Sequence, residues 1–261
     1  MSLLAICNMP AAPLRTDSSD KAEMSSQLLL GDLVEIKEEN AGWSKIVVCE
    51  DNYEGWVDKK QILALSTKEL RYYKPDLTQG TETFSTEIFS WATGDNEKLP
   101  VFFGSRLPDF KKGKFILGKK RFQFSGEVVQ TKNISKTEIV NFALRLLNCP
   151  YLWGGKTPAG YDCSGFVQLL FRMAGIRLGR DAYQQISFGN EISGTENSEP
   201  GDLAFFKNDA GRINHVGMIF EKGRIIHSSG KVRIDSIDNK GILNEEYQEY
   251  SHLLFKIKGS R

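Results

Sequence analysis

Near residue 131 the hydrophobic period of this chain changes, and that change limits the folds open to it. Ahead of it, short strand-like runs alternate with turn signals. The turns are Asn8-Met9-Pro10, Asp17-Ser18-Ser19-Asp20, Gly31-Asp32, Glu39-Asn40-Ala41-Gly42 and Asp51-Asn52. Between them lie Leu33-Val34-Glu35-Ile36, Trp43-Ser44-Lys45-Ile46-Val47-Val48 and Gly55-Trp56-Val57, and Ser2 to Cys7 reads as a first strand. Strands this short, cut this often, argue for a small barrel or sandwich. Beyond the change, Ser135-Lys136-Thr137-Glu138 is a capping box, and Ile139, Phe142, Ala143, Leu146 and Leu147 share one helical face. Asn148-Cys149-Pro150 ends that helix, because the residue before a proline is pushed out of the α region. A second helix is expected over residues 163–174, burying Phe166, Leu169, Leu170 and Met173, with Gly175 as its C-terminal cap. Strands are expected over 202–206, 215–220 and 224–228. Helices first and antiparallel strands afterwards make this last part an α+β domain.

Three segments follow: an all-β domain over 1–66, a Phe-rich β-like segment over 67–128, and the α+β domain over 129–261. In the middle segment Lys111-Lys112-Gly113-Lys114 and Gly118-Lys119-Lys120-Arg121 are expected as solvated hairpin tips.

Charge and cysteine content exclude several function classes. Lys+Arg is 34 and Asp+Glu 33, a net charge of +1. No basic field exists to hold a nucleic acid. No apolar run approaches the roughly 20 residues needed to span a bilayer. The 4 Cys include no C-x-x-C pair, so neither a zinc site nor a redox motif is expected. We therefore expect no metal or cofactor, a monomer, and a reducing, cytoplasmic location; the alternative is a periplasmic or secreted protein whose leader has been removed.

The chemistry centres on Asp162-Cys163-Ser164-Gly165. A Gly-rich loop, Trp153-Gly154-Gly155-Lys156-Thr157-Pro158-Ala159-Gly160, precedes it and the second helix follows it. Cys163 is thus expected at a helix N-terminus, where unpaired N–H groups favour a thiolate and lower its pKa. A thiol nucleophile needs a base, and the chain has 3 His: His215, His227 and His252. The first two fall on neighbouring strands around Glu221-Lys222-Gly223. A three-residue loop ending in Gly would pair Phe220 with Arg224 and Gly217 with His227, placing both imidazoles diagonally on one face. A two-residue loop would place them on opposite faces; the position of Gly223 favours the former. His252 is expected to be an ordinary residue.

Two resemblances sharpen this reading. Pro13-Leu14-Arg15, Leu30-Gly31-Asp32-Leu33-Val34, Gly42-Trp43-Ser44-Lys45-Ile46 and Glu54-Gly55-Trp56-Val57, in that order, resemble a bacterial SH3-like (SH3b) barrel; residues 67–128 are expected to form a second, divergent one. Pro150-Tyr151-Leu152-Trp153-Gly154-Gly155, Asp162-Cys163-Ser164-Gly165-Phe166-Val167, Arg180-Asp181-Ala182-Tyr183-Gln184-Gln185, Pro200-Gly201-Asp202-Leu203, His215-Val216-Gly217-Met218-Ile219 and Ile226-His227-Ser228-Ser229 resemble the NlpC/P60 cysteine peptidases, a papain-like family. With the SH3-like front, the whole is similar to γ-D-glutamyl-L-diamino-acid endopeptidases acting on peptidoglycan peptides. The resemblance implies Cys163 as nucleophile, His215 as base, His227 as the third polar residue and Tyr151 as an aromatic near the oxyanion. It implies Asp162 and Ser164 lining the cleft, and Arg180-Asp181 as the motif whose acid holds the free amine of a substrate L-Ala. Members of that type carry Ser where Ala182 stands, so one hydroxyl is missing. Glu54, with Tyr53 second, is the expected amine-facing residue of the SH3-like domain. The implied partner is a murein peptide, L-Ala-γ-D-Glu-diamino acid. The rival readings are an endopeptidase on intact peptidoglycan, a wall-binding protein with an inactive catalytic domain, and a papain-like amidase or acyltransferase.

Overall fold

The computed structural model describes residues 3–73, 81–132, 134–245 and 247–259. The chain divides into two compact units. One comprises Met1–Ile134, Lys156–Pro158 and Arg172–Arg177; the other comprises Ser135–Gly155, Ala159–Phe171 and Leu178–Arg261.

The first unit opens with β1 (Leu3–Cys7), β2 (Ala11–Arg15), β3 (Met24–Leu29), β4 (Leu33–Glu39), β5 (Trp43–Val48), β6 (Glu54–Asp58) and β7 (Ile62–Ala64). They form one antiparallel sheet in the order β3-β2-β6-β5-β4-β1-β7. Burial alternates along β5, with Ser44, Ile46 and Val48 inward, as a half-buried strand requires. Ala5, Leu14, Leu28, Val34, Ile46 and Val57 fill the interior.

Next come β8 (Thr83–Ser85), β9 (Phe89–Thr93), β10 (Lys98–Phe102), β11 (Lys114–Leu117), β12 (Lys120–Phe124) and β13 (Val128–Gln130). Four of them make a sheet ordered β10-β9-β12-β11, and β13 pairs with β8. Lys112, Gly113 and Gly118 have positive φ, so both basic clusters include turn residues. Residues 74–80, part of the segment expected as a second barrel, lie outside the described residues. Phe115, Phe122 and Phe124 share one core with Ile6, Leu30, Leu33 and Leu65 of the first sheet. A buried ion cluster adds to this unit: Arg172 pairs with Asp32 and, at 3.0 Å, with Glu50, while Arg106 reaches Glu82 at 2.6 Å.

In the second unit the helix Lys136–Arg145 begins on the expected capping box, Ser135 with Glu138. The two-residue strand β14 (Lys156–Thr157) belongs to the first unit; after it β15 (Gly160–Tyr161) precedes the helix Cys163–Met173, and a single turn, Ala182–Gln185, follows it. Phe166, Val167, Leu169 and Leu170 are fully buried, and Gly175, at φ +76°, receives the end of that helix.

The strands are β16 (Asn190–Ile192), β17 (Leu203–Lys207), β18 (Ile213–Glu221), β19 (Arg224–Ser229), β20 (Lys231–Ile237), β21 (Gly241–Asn244) and β22 (Glu249–Gly259), in the order β16-β22-β17-β18-β19-β20-β21. One end of β22 pairs with β17 and the other with β21, so six strands close on themselves. Among the described residues no helix is long and apolar enough to cross a membrane.

Candidate active site

The Gly-rich loop and the helix after it place Cys163 as expected, at the first residue of a buried helix. Asp162 is its N-terminal cap: Oδ1 accepts the Gly165 N–H at 2.6 Å and the Ser164 hydroxyl at 3.2 Å. The same carboxylate is clamped by Arg180, whose two terminal nitrogens donate at 3.1 and 2.5 Å; Arg180 also donates to Ser164 Oγ at 3.0 Å. Asp162, Ser164 and Arg180 are all buried. Their polar atoms bond one another, which fixes the start of the cysteine helix against the segment carrying Asp181. Gln185 adds to this tie, donating to Ser164 O at 3.0 Å and Gly179 O at 2.9 Å. Asp181 itself is half-buried and stands just before the single turn 182–185, its N–H donating to Gln184 Oε1 at 2.9 Å.

The two histidines arrive on one face, as the hairpin arithmetic requires, but by a different turn. Met218 pairs with Ile226 and Ile219 with Ile225, the expected register; Glu221 then pairs with Arg224, so the loop is Lys222-Gly223 alone. An irregularity between Ile219 and Glu221 takes up the odd residue, so the two-residue loop leaves the imidazoles on the same face after all. His215 Nε2 lies 2.8 Å from His227 Nδ1, with the rings nearly perpendicular. This approach needs Gly217: a Cβ there would come within 2.8 Å of the His227 Cβ.

Two further side chains join the cluster, and sequence reasoning missed both. Asp235 of β20 has Oδ2 2.8 Å from His227 Nε2. Its signal was available, since turning the chain at Gly230 sets Arg233 opposite His227 and Asp235 diagonal to it. His252, expected to be ordinary, stacks on His215 with ring centroids 4.0 Å apart. It arrives on β22, and no local pattern in the sequence announces that.

Electrostatics correct one expectation. The Cys163 thiol is pushed up to about 11, not down. Burial is the main cause and the Asp162 carboxylate adds to it; hydrogen bonds from the backbone at Val216 and Ser164 oppose these and lose. The sulfur lies 3.9 Å from Asn214 O, so it meets the backbone on either side of His215. Burial, then the neighbouring His227 and His252, hold His215 well below the ordinary histidine range. Burial and His227 likewise lower His252 to about 4. Both shifts favour the neutral form, of the Cys163 thiol and of the His215 imidazole. Tyr151 is half-buried, and burial with the nearby Cys163 and Asp162 raises its phenol to about 12, so it stays a hydrogen-bond donor.

A pH profile follows. Because the thiol lies above its ordinary value, its thiolate fraction is small at neutrality and grows toward pH 11. Alkylation of Cys163 by iodoacetamide, read by mass spectrometry of its peptide, should accelerate through pH 8–10 (roughly tenfold per pH unit). A rate already flat below pH 8 would mean a preformed thiolate–imidazolium pair.

Tyr53 and Glu54 stand in the first unit, Glu54 opening β6; its carboxylate is exposed and 3.8 Å from Lys45 Nζ.

Residues 148–250 match the NlpC/P60 family, and residues 14–62 match the bacterial dipeptidyl-peptidase SH3 domain. Gamma-D-glutamyl-L-lysine dipeptidyl-peptidase of Bacillus cereus is 26% identical, over 85% of this chain and 73% of its own length. The protein of the same name from Bacillus subtilis is 28% identical, over 78% and 72%. Among solved structures, an NlpC/P60 family protein from Bacillus cereus superposes with a TM-score of 0.82 at 21% identity, over 98% of this chain and 99% of that one. That likeness is one of fold.

Proposed function

We propose, from the premise that this chain carries an NlpC/P60 domain behind an SH3 domain of the bacterial dipeptidyl-peptidase type, that it is a cysteine peptidase releasing L-Ala-D-Glu from murein peptides. The bond cut is the amide between the γ-carboxyl of D-Glu and a diamino acid. The observation that carries this reading is that the buried Cys163 sulfur meets the backbone on either side of buried His215, which bonds His227, with Asp181 anchored to the same helix start through Arg180 and Asp162. The names of the two Bacillus relatives support the bond chosen.

Cys163 Sγ attacks the γ-carbonyl carbon as its proton passes to His215. The carbonyl oxygen becomes an oxyanion, for which backbone N–H at the helix start and the Tyr151 phenol are the proposed donors. Collapse breaks the C–N bond, and the departing amine takes the proton from His215. Water then attacks the thioester, gives a proton to His215, and frees the acid; the proton returns to sulfur. A neutral resting pair suits this sequence, since charge separates only as the S–C bond forms.

Asp181 is the proposed seat of the substrate's free N-terminal ammonium. The Asp162–Arg180 clamp fixes its segment relative to Cys163, so it measures a set length of peptide from amine to scissile carbonyl. Asp162, Ser164 and Arg180 then serve substrate binding by holding that ruler rigid. Trimming of free turnover peptides, as in wall recycling, is the consequent role. A hydrogen bond to a charged group contributes about 1.5–3 kcal/mol, and N-acetylation removes the charge and adds bulk. L-Ala-γ-D-Glu-diamino acid should therefore exceed its N-acetyl form by at least roughly a hundredfold in kcat/KM, about 2.7 kcal/mol. Asp181→Asn should erase most of that ratio. Equal rates on the two substrates in the parent enzyme would leave a general endopeptidase; a preference that survives Asp181→Asn would move the amine site to another carboxylate.

A further inference from the structure

We propose that Asp235 is a positioning residue that dictates which ring nitrogens of His227 and His215 carry protons, with Arg233 locking its carboxylate in the orientation this requires. The proposal rests on the peptidase reading for its kinetic test, though its spectroscopic test does not.

One chain of contacts fixes where the ring hydrogens can sit. β18, β19 and β20 are successive neighbours in the sheet, and they set His215, His227 and Asp235 on a common face. Asp235 Oδ2 lies 2.8 Å from His227 Nε2, and Asp235 Oδ1 accepts from Arg233 Nη2 at 2.7 Å. Asp235 stands as a carboxylate: burial alone would raise it, but the hydrogen bonds from His227 and Arg233 outweigh burial and hold it below its ordinary value.

A carboxylate only accepts, so His227 Nε2 must hold the hydrogen. In the neutral form of His227 that is the one ring hydrogen, which leaves its Nδ1 bare. That bare nitrogen is 2.8 Å from His215 Nε2, which must therefore donate to it. His215 has then spent its hydrogen, and its Nδ1 is the one ring nitrogen left with an open lone pair. In the proposed mechanism this is the nitrogen that takes the thiol proton. Without Asp235 the two histidines could share their hydrogen bond in either direction, and half of that choice leaves His215 presenting an N–H where a base is required.

Arg233 makes the claim sharper. Its guanidinium has only donors. In Asp235→Asn the amide oxygen must stay toward Arg233, so the amide nitrogen faces His227. An N–H pointing at His227 Nε2 makes that nitrogen an acceptor, reverses both hydrogen bonds, and puts the His215 hydrogen on Nδ1. The most conservative replacement should then be the most damaging one.

The experiment compares Asp235→Asn, Asp235→Ala and Asp235→Asn/Arg233→Met. The readouts are kcat and KM on L-Ala-γ-D-Glu-diamino acid, and ring-nitrogen NMR of 15N-histidine-labelled protein without substrate. We expect Asp235→Asn to lose on the order of 10³-fold in kcat with KM little changed. Asp235→Ala should lose at least roughly tenfold less, since it removes the carboxylate without imposing the opposite tautomer. The double variant should regain activity over Asp235→Asn, because its amide is free to turn. In the spectra the His215 hydrogen should sit on Nε2 in the parent and on Nδ1 in Asp235→Asn. Activity of Asp235→Asn equal to or above Asp235→Ala, or an unchanged His215 tautomer, would overturn the proposal. If the parent fails to cleave the peptide while the tautomers still reverse, the substrate reading falls and the role of Asp235 stands.

Discussion

Cys163→Ala should reduce peptide hydrolysis to background, a loss on the order of 10⁴–10⁶-fold, while circular dichroism and the thermal transition stay close to those of the parent. The fold should tolerate the change because what starts this helix is the neighbour of the cysteine. Asp162 still caps through the Gly165 N–H and still meets Arg180, and Ala is the best helix former at the vacated position. Losing one buried sulfur leaves a small void, costing about 1 kcal/mol. Chemically nothing remains to form the thioester. Cys163→Ser is a second arm: its hydroxyl is far harder to deprotonate, and a neutral His215 gains little by trying. Turnover near the parent's in either variant would sink the nucleophile assignment.

His215→Ala comes next, at roughly 10³–10⁴-fold in kcat/KM, against about 10–100-fold for His227→Ala. In the proposed mechanism His215 takes and returns the proton, whereas His227 orients it and shares the positive charge that forms. Both side chains are buried, so both variants should also lose thermal stability; the ranking of rates at a temperature where each is folded is the decisive comparison. The opposite ranking would mean that the roles are exchanged.

What could be read from the sequence, and what could not, divides by distance along the chain. The cysteine at a helix start was legible because a Gly-rich loop lies just before it and a 3.6-residue apolar period just after it. The His215–His227 pair was legible because Gly223 marks the turn between them. The irregularity near Phe220 was not: a residue there looks like any other in an apolar strand, and only the pairing reveals it. Asp235 sits in Arg233-Ile234-Asp235, an alternation that reads equally well as a solvated edge. His252 is brought to His215 by the closure of the sheet, a property of strand order rather than of any segment. The thiol's direction was misjudged for the same reason. A helix terminus is a local feature and favours the thiolate, but burial depends on everything packed around it, and here burial wins.

Strand order also bears on when this fold can form. Cys163, His215, His227 and Asp235 leave the ribosome before β22, yet β22 lies between β16 and β17 and also pairs with β21. Its partners in β16 and β17 lie some fifty or more residues upstream, as in Ile192 with Ile257 and Leu203 with Lys258. Pairings at that separation form slowly. A nascent chain that already displays Cys163 therefore lacks the strand that closes the sheet and delivers His252, and the surroundings of His215 are complete only once translation has passed residue 258.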